Sequence, residues 1–480
     1  HAMDIAHRDH LLAAFHGVVA VAVLLLCLLA EVLVFALRLR TALYLVPVSA
    51  MLLLCFFRRR PADIGLVDFS CLKPPRRLRL PLAKVIENFK LCGCFNRDTV
   101  EFMTKAIQAG GMGNETYLPP AMHCIPPAAA HADAIQEAHA LFFPTLDDLF
   151  AKTGVAPSAV GALIVNCSGF CPAPSLTAVI ANHYGMRSDL KTFNLSGMGC
   201  SAGVVAVDVA SSLLRLHLHS MSCAVVVSAE IFAGRFYVGN EHAKLLLNCY
   251  FRTGCSAALV TNKQGMAAGV PIKYRLVSST RTNQIANDRS YRSGYWDDDE
   301  GGIAGFTVGQ GVGRMFSEML RAHLAALGLS ILPWREKLRY MAALLLLSLR
   351  IRRHKLVGSA APTPAFRVAA DHFCLPSNNR PIISRLGQGL GLGEREVEAA
   401  LMTFHRFGNQ SAASLWYQLA YLEAKGRVRE GDTVWQLGVG SGLKANSLVW
   451  QRVAGAGGRD GRGALGPWVD CIHRYPIKES

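Results

Sequence analysis

One cysteine stands where a nucleophile could be built. The run Asn194-Leu195-Ser196-Gly197-Met198-Gly199-Cys200-Ser201-Ala202-Gly203 leads from a strand-like segment, Lys191–Leu195, through glycines into small residues at helical period. This places Cys200 at or near a helix's first turn. Unpaired N–H groups and the positive end of the dipole there lower a thiol pKa. The plainer alternative is a small buried residue in a tight turn. Further on, Phe404-His405-Arg406-Phe407-Gly408-Asn409-Gln410-Ser411 sets a histidine and an asparagine four apart. Asn409 can donate to a developing oxyanion, or simply cap a helix. Gly438-Val439-Gly440-Ser441-Gly442 lacks the lysine of a phosphate loop and the spacing of a dinucleotide fingerprint. Backbone contacts from Gly440, Ser441 and Gly442 to an oxyanion are an equal reading. His217 and His219 fall at a helix end without cysteine or carboxylate company and read as structural or surface residues.

These residues need a framework. Ala162–Asn166, Ala224–Ser228 and Ala257–Thr261 are short apolar runs of buried-strand type, and the first two are separated by Ser201–His217 at helical period. Such alternation predicts an α/β fold with helices on both faces of the sheets. Residues 95–155 read as helices broken by Gly and Pro turns. The stretch 271–330 reads as looser, and α/β texture returns from Phe366 to Val449. The 480 residues contain 14 cysteines, with no CxxC pair and no Cys/His set at zinc spacing, so neither a disulfide scaffold nor a metal site is expected.

The net charge of +16 is unevenly spread. Residues 58–90 and 335–355 each carry a net +6, and both abut leucine-rich runs rather than a nucleic-acid motif. Basic clusters beside apolar runs fit anionic lipid, not nucleic acid. Leu11–Leu37 is interrupted only by His16 and Glu31, long enough to cross a bilayer, and Ala42–Phe57 is a marginal second span. Arg58-Arg59-Arg60 then puts the remainder in the cytosol. Residues 1–60 are thus expected as an anchor of one or two spans, and 61–94 as a basic juxtamembrane linker. Tyr340–Leu349 is too short to span and is expected as an interfacial or groove-lining helix.

The motifs resemble one family. Gly197–Gly203, Asn114-Glu115-Thr116-Tyr117-Leu118-Pro119-Pro120, Asn182-His183-Tyr184, Asn248-Cys249-Tyr250-Phe251-Arg252, His405–Asn409 and Gly440–Lys444 are similar to stretches of the plant 3-ketoacyl-CoA synthases. Those are the membrane-bound condensing enzymes of very-long-chain fatty acid elongation. The resemblance implies a thiolase-like five-layer αβαβα core of two similar halves, preceded by transmembrane helices. The first half, 95–270, would hold the nucleophile and the second, 271–480, its partners. It further implies a homodimer in the endoplasmic reticulum membrane with its catalytic part facing the cytosol, working beside reductases and a dehydratase. Acyl-CoA and malonyl-CoA are the implied substrates, with no cofactor or metal. Cys200 would carry the acyl group as a thioester, and Asn409 and a histidine would steady the enolate of decarboxylated malonyl-CoA.

One position departs from the family pattern. Where the family places its histidine, His372-Phe373-Cys374-Leu375-Pro376-Ser377-Asn378-Asn379-Arg380 has Pro376, which offers no donor. His372 and His405 are the candidate substitutes. Two alternatives follow: a catalytically impaired member serving as a scaffold or regulatory subunit of the elongase, and a soluble polyketide-type condensing enzyme, which residues 11–60 disfavour.

Overall fold

The structure, a computed structural model, describes residues 23–31, 51, 64–217, 220–263, 265, 269–309, 311–354, 365–453 and 463–477. The chain divides into two compact units, 1–61 and 62–480. In the first, residues 23–31 are helical, and Leu25, Leu26 and Leu29 are more than half exposed. Met51 apart, the rest of the two apolar runs expected to span lies outside the described residues. Among those described, the helical stretch long and apolar enough to cross a bilayer is Gly199–Leu216, and it is 56% buried, as a core helix is.

The second unit begins with β1 (Gly65–Cys71), α1 (Leu82–Leu91), α2 (Arg97–Gly110), α3 (His131–Thr153), β2 (Ala162–Asn166), α4 (Leu176–Tyr184), β3 (Lys191–Leu195) and α5 (Ala202–Leu216). There follow β4 (Cys223–Ala229), α6 (His242–Tyr250), β5 (Cys255–Thr261), β6 (Tyr274–Asn283), β7 (Gly294–Asp298), β8 (Ala304–Val308), α7 (Val312–Ile331) and α8 (Trp334–His354). It closes with β9 (His372–Cys374), α9 (Arg380–Gly389), α10 (Glu394–Phe407), α11 (Ser414–Ala424), β10 (Thr433–Gly440) and β11 (Lys444–Arg452).

A nine-stranded sheet runs in the order β3-β2-β4-β5-β1-β6-β11-β10-β9. In it β5 is antiparallel to β1 and β4, and β4 is parallel to β2. The pattern then repeats: β11 is antiparallel to β6 and β10, and β10 is parallel to β9. This is one arrangement used twice, joined where β1 meets β6 at Gly65 and Leu66.

Alternation along each strand sorts the core into three clusters. Val225 and Val227 of β4 pack with Leu141 and Phe142 of α3. Their neighbours Ala224 and Val226 share a central cluster with Val204, Leu214, Trp416 and Leu419, and with Val434 and Trp450 of the other half. Trp435, Leu437 and Val449 face away from it, toward Leu320, Ile383 and Phe404. Helices α5 and α11 therefore lie between the half-sheets, with α3 outside one and α7, α9 and α10 outside the other.

Two sequence expectations are corrected here. The segment 61–94 is no linker where it is described: β1 is buried between β5 and β6, and α1 buries Val85 and Phe89. Asp68 disguises the strand, yet Lys273 neutralises it at 3.0 Å. The stretch 271–330 is not loose either, since β6, the β7–β8 hairpin and the 20-residue α7 occupy it. The apolar run 340–349 lies inside α8, where Trp334, Leu338 and Leu346 are exposed.

Candidate active site

The chain leaves edge strand β3 through Gly197 (φ +67°) and Gly199 (φ +55°). Only glycine enters that left-handed region without steric cost. Gly199 N–H donates to Ser168 Oγ at 3.0 Å, and Ser201 Oγ donates to the Met198 carbonyl at 2.8 Å. These bonds fix a single 3-10 turn, Gly199–Ser201, which runs straight into α5. Cys200 is the middle residue of that turn.

The second half supplies the opposing wall. Strand β10 brings Gly440 so near the turn that an added Cβ would lie 2.0 Å from the Met198 carbonyl oxygen. Ser441 Oγ donates to the Gly197 carbonyl at 3.3 Å. The Gly440–Gly442 segment thus meets the cysteine turn.

Asn409 follows α10 and is held by backbone: its N–H donates to the Tyr250 carbonyl (3.0 Å), and its carbonyl accepts from Arg252 N–H (2.8 Å). Its Oδ1 accepts from Ser411 N–H at 2.8 Å, and its side chain pulls the Cys200 thiol pKa down. The asparagine thus closes the turn that enters the short 3-10 helix Ser411–Ala413 and lines the same cavity as Cys200. Ser411 Oγ donates to Cys200 Sγ at 3.5 Å. Its φ of +53° is the one positive value of a non-glycine among the described residues, a strain typical of functional positions.

Sequence reasoning missed Glu230. It follows β4, is buried, and accepts from Ser168 N–H at 2.8 Å and from Gly169 N–H. The Ser411 hydroxyl also interacts with its carboxylate and pulls its pKa down against the effect of burial. The usable signal was an acid directly after a fully buried strand, a place where it needs partners.

Burial dominates the electrostatics. Desolvation pushes the Cys200 thiol up to about 11, against the pull of hydrogen bonds from Ser411 and Asn409, and Glu230 pushes the same way as burial. This overturns the expectation that the helix start lowers its pKa. Partial N–H charges weigh less than the loss of water around a thiolate.

The two candidate histidines are corrected as well. His372 Nε2 pairs with Asp432 Oδ2 at 2.9 Å, and His405 Nδ1 with the Tyr475 hydroxyl at 3.1 Å. Neither lines the cavity that holds Cys200, whereas Pro376 does. That cavity encloses about 1060 Å³, at the top of the range of about 300–1,000 Å³ for small-molecule sites. Cys200, Glu230, Asn409, Ser411 and Gly440–Gly442 line it together with Phe89, Phe236, Leu246, Phe316, Leu320 and Leu324. Cys200 and the polar groups around it therefore open onto a largely apolar chamber. Among the described residues no cluster of three or more His, Cys, Asp or Glu could hold a metal ion.

Known proteins resemble this chain in sequence and in fold. Residues 56–349 match the family profile described as FAE1/Type III polyketide synthase-like protein. Residues 369–452 match that of the 3-oxoacyl-[acyl-carrier-protein] synthase III C terminal. The chain is 41% identical to 3-ketoacyl-CoA synthase 4 of Arabidopsis thaliana over 87% of its own length and 78% of the relative's. It is 42% identical to 3-ketoacyl-CoA synthase 6 of the same plant over 88% and 82%. A fungal type III polyketide synthase, ORAS, superposes with a TM-score of 0.61 at 16% identity, covering 81% of this chain and 99% of that one. The 1,3,6,8-tetrahydroxynaphthalene synthase of Streptomyces coelicolor gives 0.58 at 16%, covering 81% and 99%. At such identity the two structures speak for a shared thiolase-like fold alone.

Proposed function

This chain belongs to the 3-ketoacyl-CoA synthases, and from that premise we propose that it condenses a long-chain acyl-CoA with malonyl-CoA. The product is a 3-ketoacyl-CoA two carbons longer. The observation that carries the reading is the convergence of Cys200, Asn409 and the Gly440–Gly442 segment on one large apolar cavity. Cys200 takes the acyl group as a thioester and releases CoA, which is covalent catalysis. Malonyl-CoA loses CO₂, and its enolate carbon attacks the thioester carbonyl. The Asn409 amide steadies the enolate oxygen, and backbone N–H groups around Cys200 and Ser441 hold the tetrahedral oxyanion. The apolar chamber takes the alkyl chain, while Arg235, Arg321 and Arg385 in its lining suit the phosphates that CoA carries.

We further propose that the reaction takes place at a membrane surface. The runs 11–37 and 42–57 anchor the protein in the endoplasmic reticulum membrane, with Arg58-Arg59-Arg60 keeping the catalytic unit cytosolic. Helix α8, with exposed Trp334, Leu338 and Leu346, rests on the lipid surface. A second copy pairs along β3, an edge strand whose residues Lys191–Asn194 are all exposed, because such an edge invites a partner strand. Reductases and a dehydratase process the product in turn.

Labelled malonyl-CoA tests the reading. Microsomes carrying this chain should elongate a long-chain acyl-CoA, and Cys200→Ala should abolish incorporation; incorporation surviving that change would refute it. Pro376 favours the rival reading of an impaired scaffold subunit, and silence of the unmodified chain in the same assay would support that rival.

A further inference from the structure

With proline at 376, the thiol of Cys200 lacks the base that the family provides. We propose that Glu230, acting through the hydroxyl of Ser411, accepts the proton of Cys200 when the thiol attacks an acyl-CoA. The proposal rests on the condensing reading above and says how its first step is driven.

The geometry is a three-member chain. Ser411 Oγ lies 3.5 Å from Cys200 Sγ, and with its one proton turned the other way the same hydroxyl interacts with the Glu230 carboxylate. All three residues line the same cavity. Backbone donors from Ser168 and Gly169 keep the carboxylate in place. Other ionisable groups press on it: the Cys167 thiol sits 3.8 Å away, the Glu137 carboxyl repels it, and the Arg235 side chain packs against the same Gly169. Burial raises the pKa of Glu230, which makes its carboxylate a better proton acceptor. The strained φ of Ser411 (+53°) is then part of the device, since it is the conformation that sets the hydroxyl beside Cys200.

The step balances. As Cys200 Sγ forms its bond to the acyl carbonyl carbon, its proton passes to Ser411 Oγ while the Ser411 proton passes to Glu230. When the tetrahedral intermediate collapses, the bond to the CoA sulfur breaks, and the CoA thiolate leaves with the proton returned from Glu230. Glu230 ends as a carboxylate, and no oxidant or further reactant is needed.

The test follows Cys200 alkylation by chloroacetamide between pH 6 and 9 in the full chain, resolved by mass spectrometry of its peptide. Where a thiol shares its proton with a carboxylate, a fixed fraction of thiolate persists between the two titrations, so the rate has a flat stretch. A thiol without an acceptor loses about tenfold in rate per pH unit. The unmodified chain should show the flat stretch. Glu230→Gln and Ser411→Gly should lose it and react roughly tenfold or more slowly at pH 7. Glycine suits a positive φ, so Ser411→Gly removes the hydroxyl while keeping the loop. Faster alkylation in Glu230→Gln would overturn the proposal, for that is what removing a merely repulsive charge does. So would a tenfold-per-unit profile in the unmodified chain. Incubation with labelled long-chain acyl-CoA separates the two readings: the flat stretch without label on Cys200 supports the relay and removes the condensing function.

Discussion

Gly440 stands against the carbonyl of Met198 so closely that a Cβ there would meet the oxygen at 2.0 Å and Ser201 Oγ at 2.5 Å. The turn that carries Cys200 is thus positioned by a strand from the other half of the molecule. Gly440→Ala must push that turn aside. The expected cost is about 1–3 kcal/mol of stability, the usual range for overpacking, with condensation falling at least ~10²-fold because misplaced reacting atoms are penalised steeply. Thermal unfolding and malonyl-CoA incorporation measured on the same preparation check both, and full activity would show that the two halves are not locked at this point.

Pro376 invites a gain rather than a loss. Its loop is clamped by Gln418, whose Nε2 donates to the Leu375 carbonyl at 2.7 Å and whose Oε1 accepts from Leu375 N–H at 2.8 Å. A side chain placed at 376 therefore faces a fixed cavity wall. Pro376→His should raise turnover by roughly 10²-fold, the low end of what a positioned acid–base group contributes. It should also give the rate profile an inflection near pH ~6.5, where histidine ordinarily titrates. An unchanged rate and profile would mean that position 376 does not reach the reacting atoms.

His372 and His405 should prove silent in catalysis. Each is engaged away from the cavity, with Asp432 and Tyr475 respectively. Replacing either by Ala should leave turnover within about threefold while lowering stability by about 1 kcal/mol, the worth of a hydrogen bond. A hundredfold fall in turnover with normal unfolding would restore either one as a site residue.

His323 sets an acid limit on the fold. Fully buried on α7, it bonds the hydroxyls of Thr282 (3.0 Å) and Ser447 (2.7 Å). Burial drops its pKa to about 4. The native ring stays neutral down to that pH, while the unfolded ring takes a proton below about 6.5. The stability that a neutral His323 contributes is therefore present above pH ~6.5 and is lost as pH falls toward 4, by about 3 kcal/mol in all. Urea midpoints at pH 7 and 4.5 should differ by less in His323→Asn than in the unmodified chain, and equal differences would exclude the histidine as the cause.

What could be read from the residues alone was local. Ala162–Asn166 and Lys191–Leu195 are strands with the bounds the sequence predicts, because short runs between turn residues carry their own punctuation. Cys200, Asn409 and Gly440, which line one cavity, stand out in the sequence because each sits in a short glycine-bearing motif. Glu230 was not, since its meaning depends on Ser168, 62 residues earlier, and on Ser411, far later in the chain. Strand β1 was hidden for a different reason. Its acid, Asp68, and the arginines before it suggest a solvated tether, and only Lys273, 205 residues on, makes the acid tolerable. His405 misled because proximity in a motif says little about direction on a helix: α10 turns its ring toward Tyr475.

The seam strand has a consequence for how the protein is made. β1 is the first strand of the body to leave the ribosome, yet its partners β5 and β6 begin only at Cys255 and Tyr274. At roughly 5–20 residues per second, an apolar ribbon bearing Leu66, Val67 and Phe69 waits on the order of 10–40 s for its neighbours. Throughout that interval it sits directly behind the apolar N-terminal runs, so the nascent chain must be kept from pairing with others before its own sheet can close.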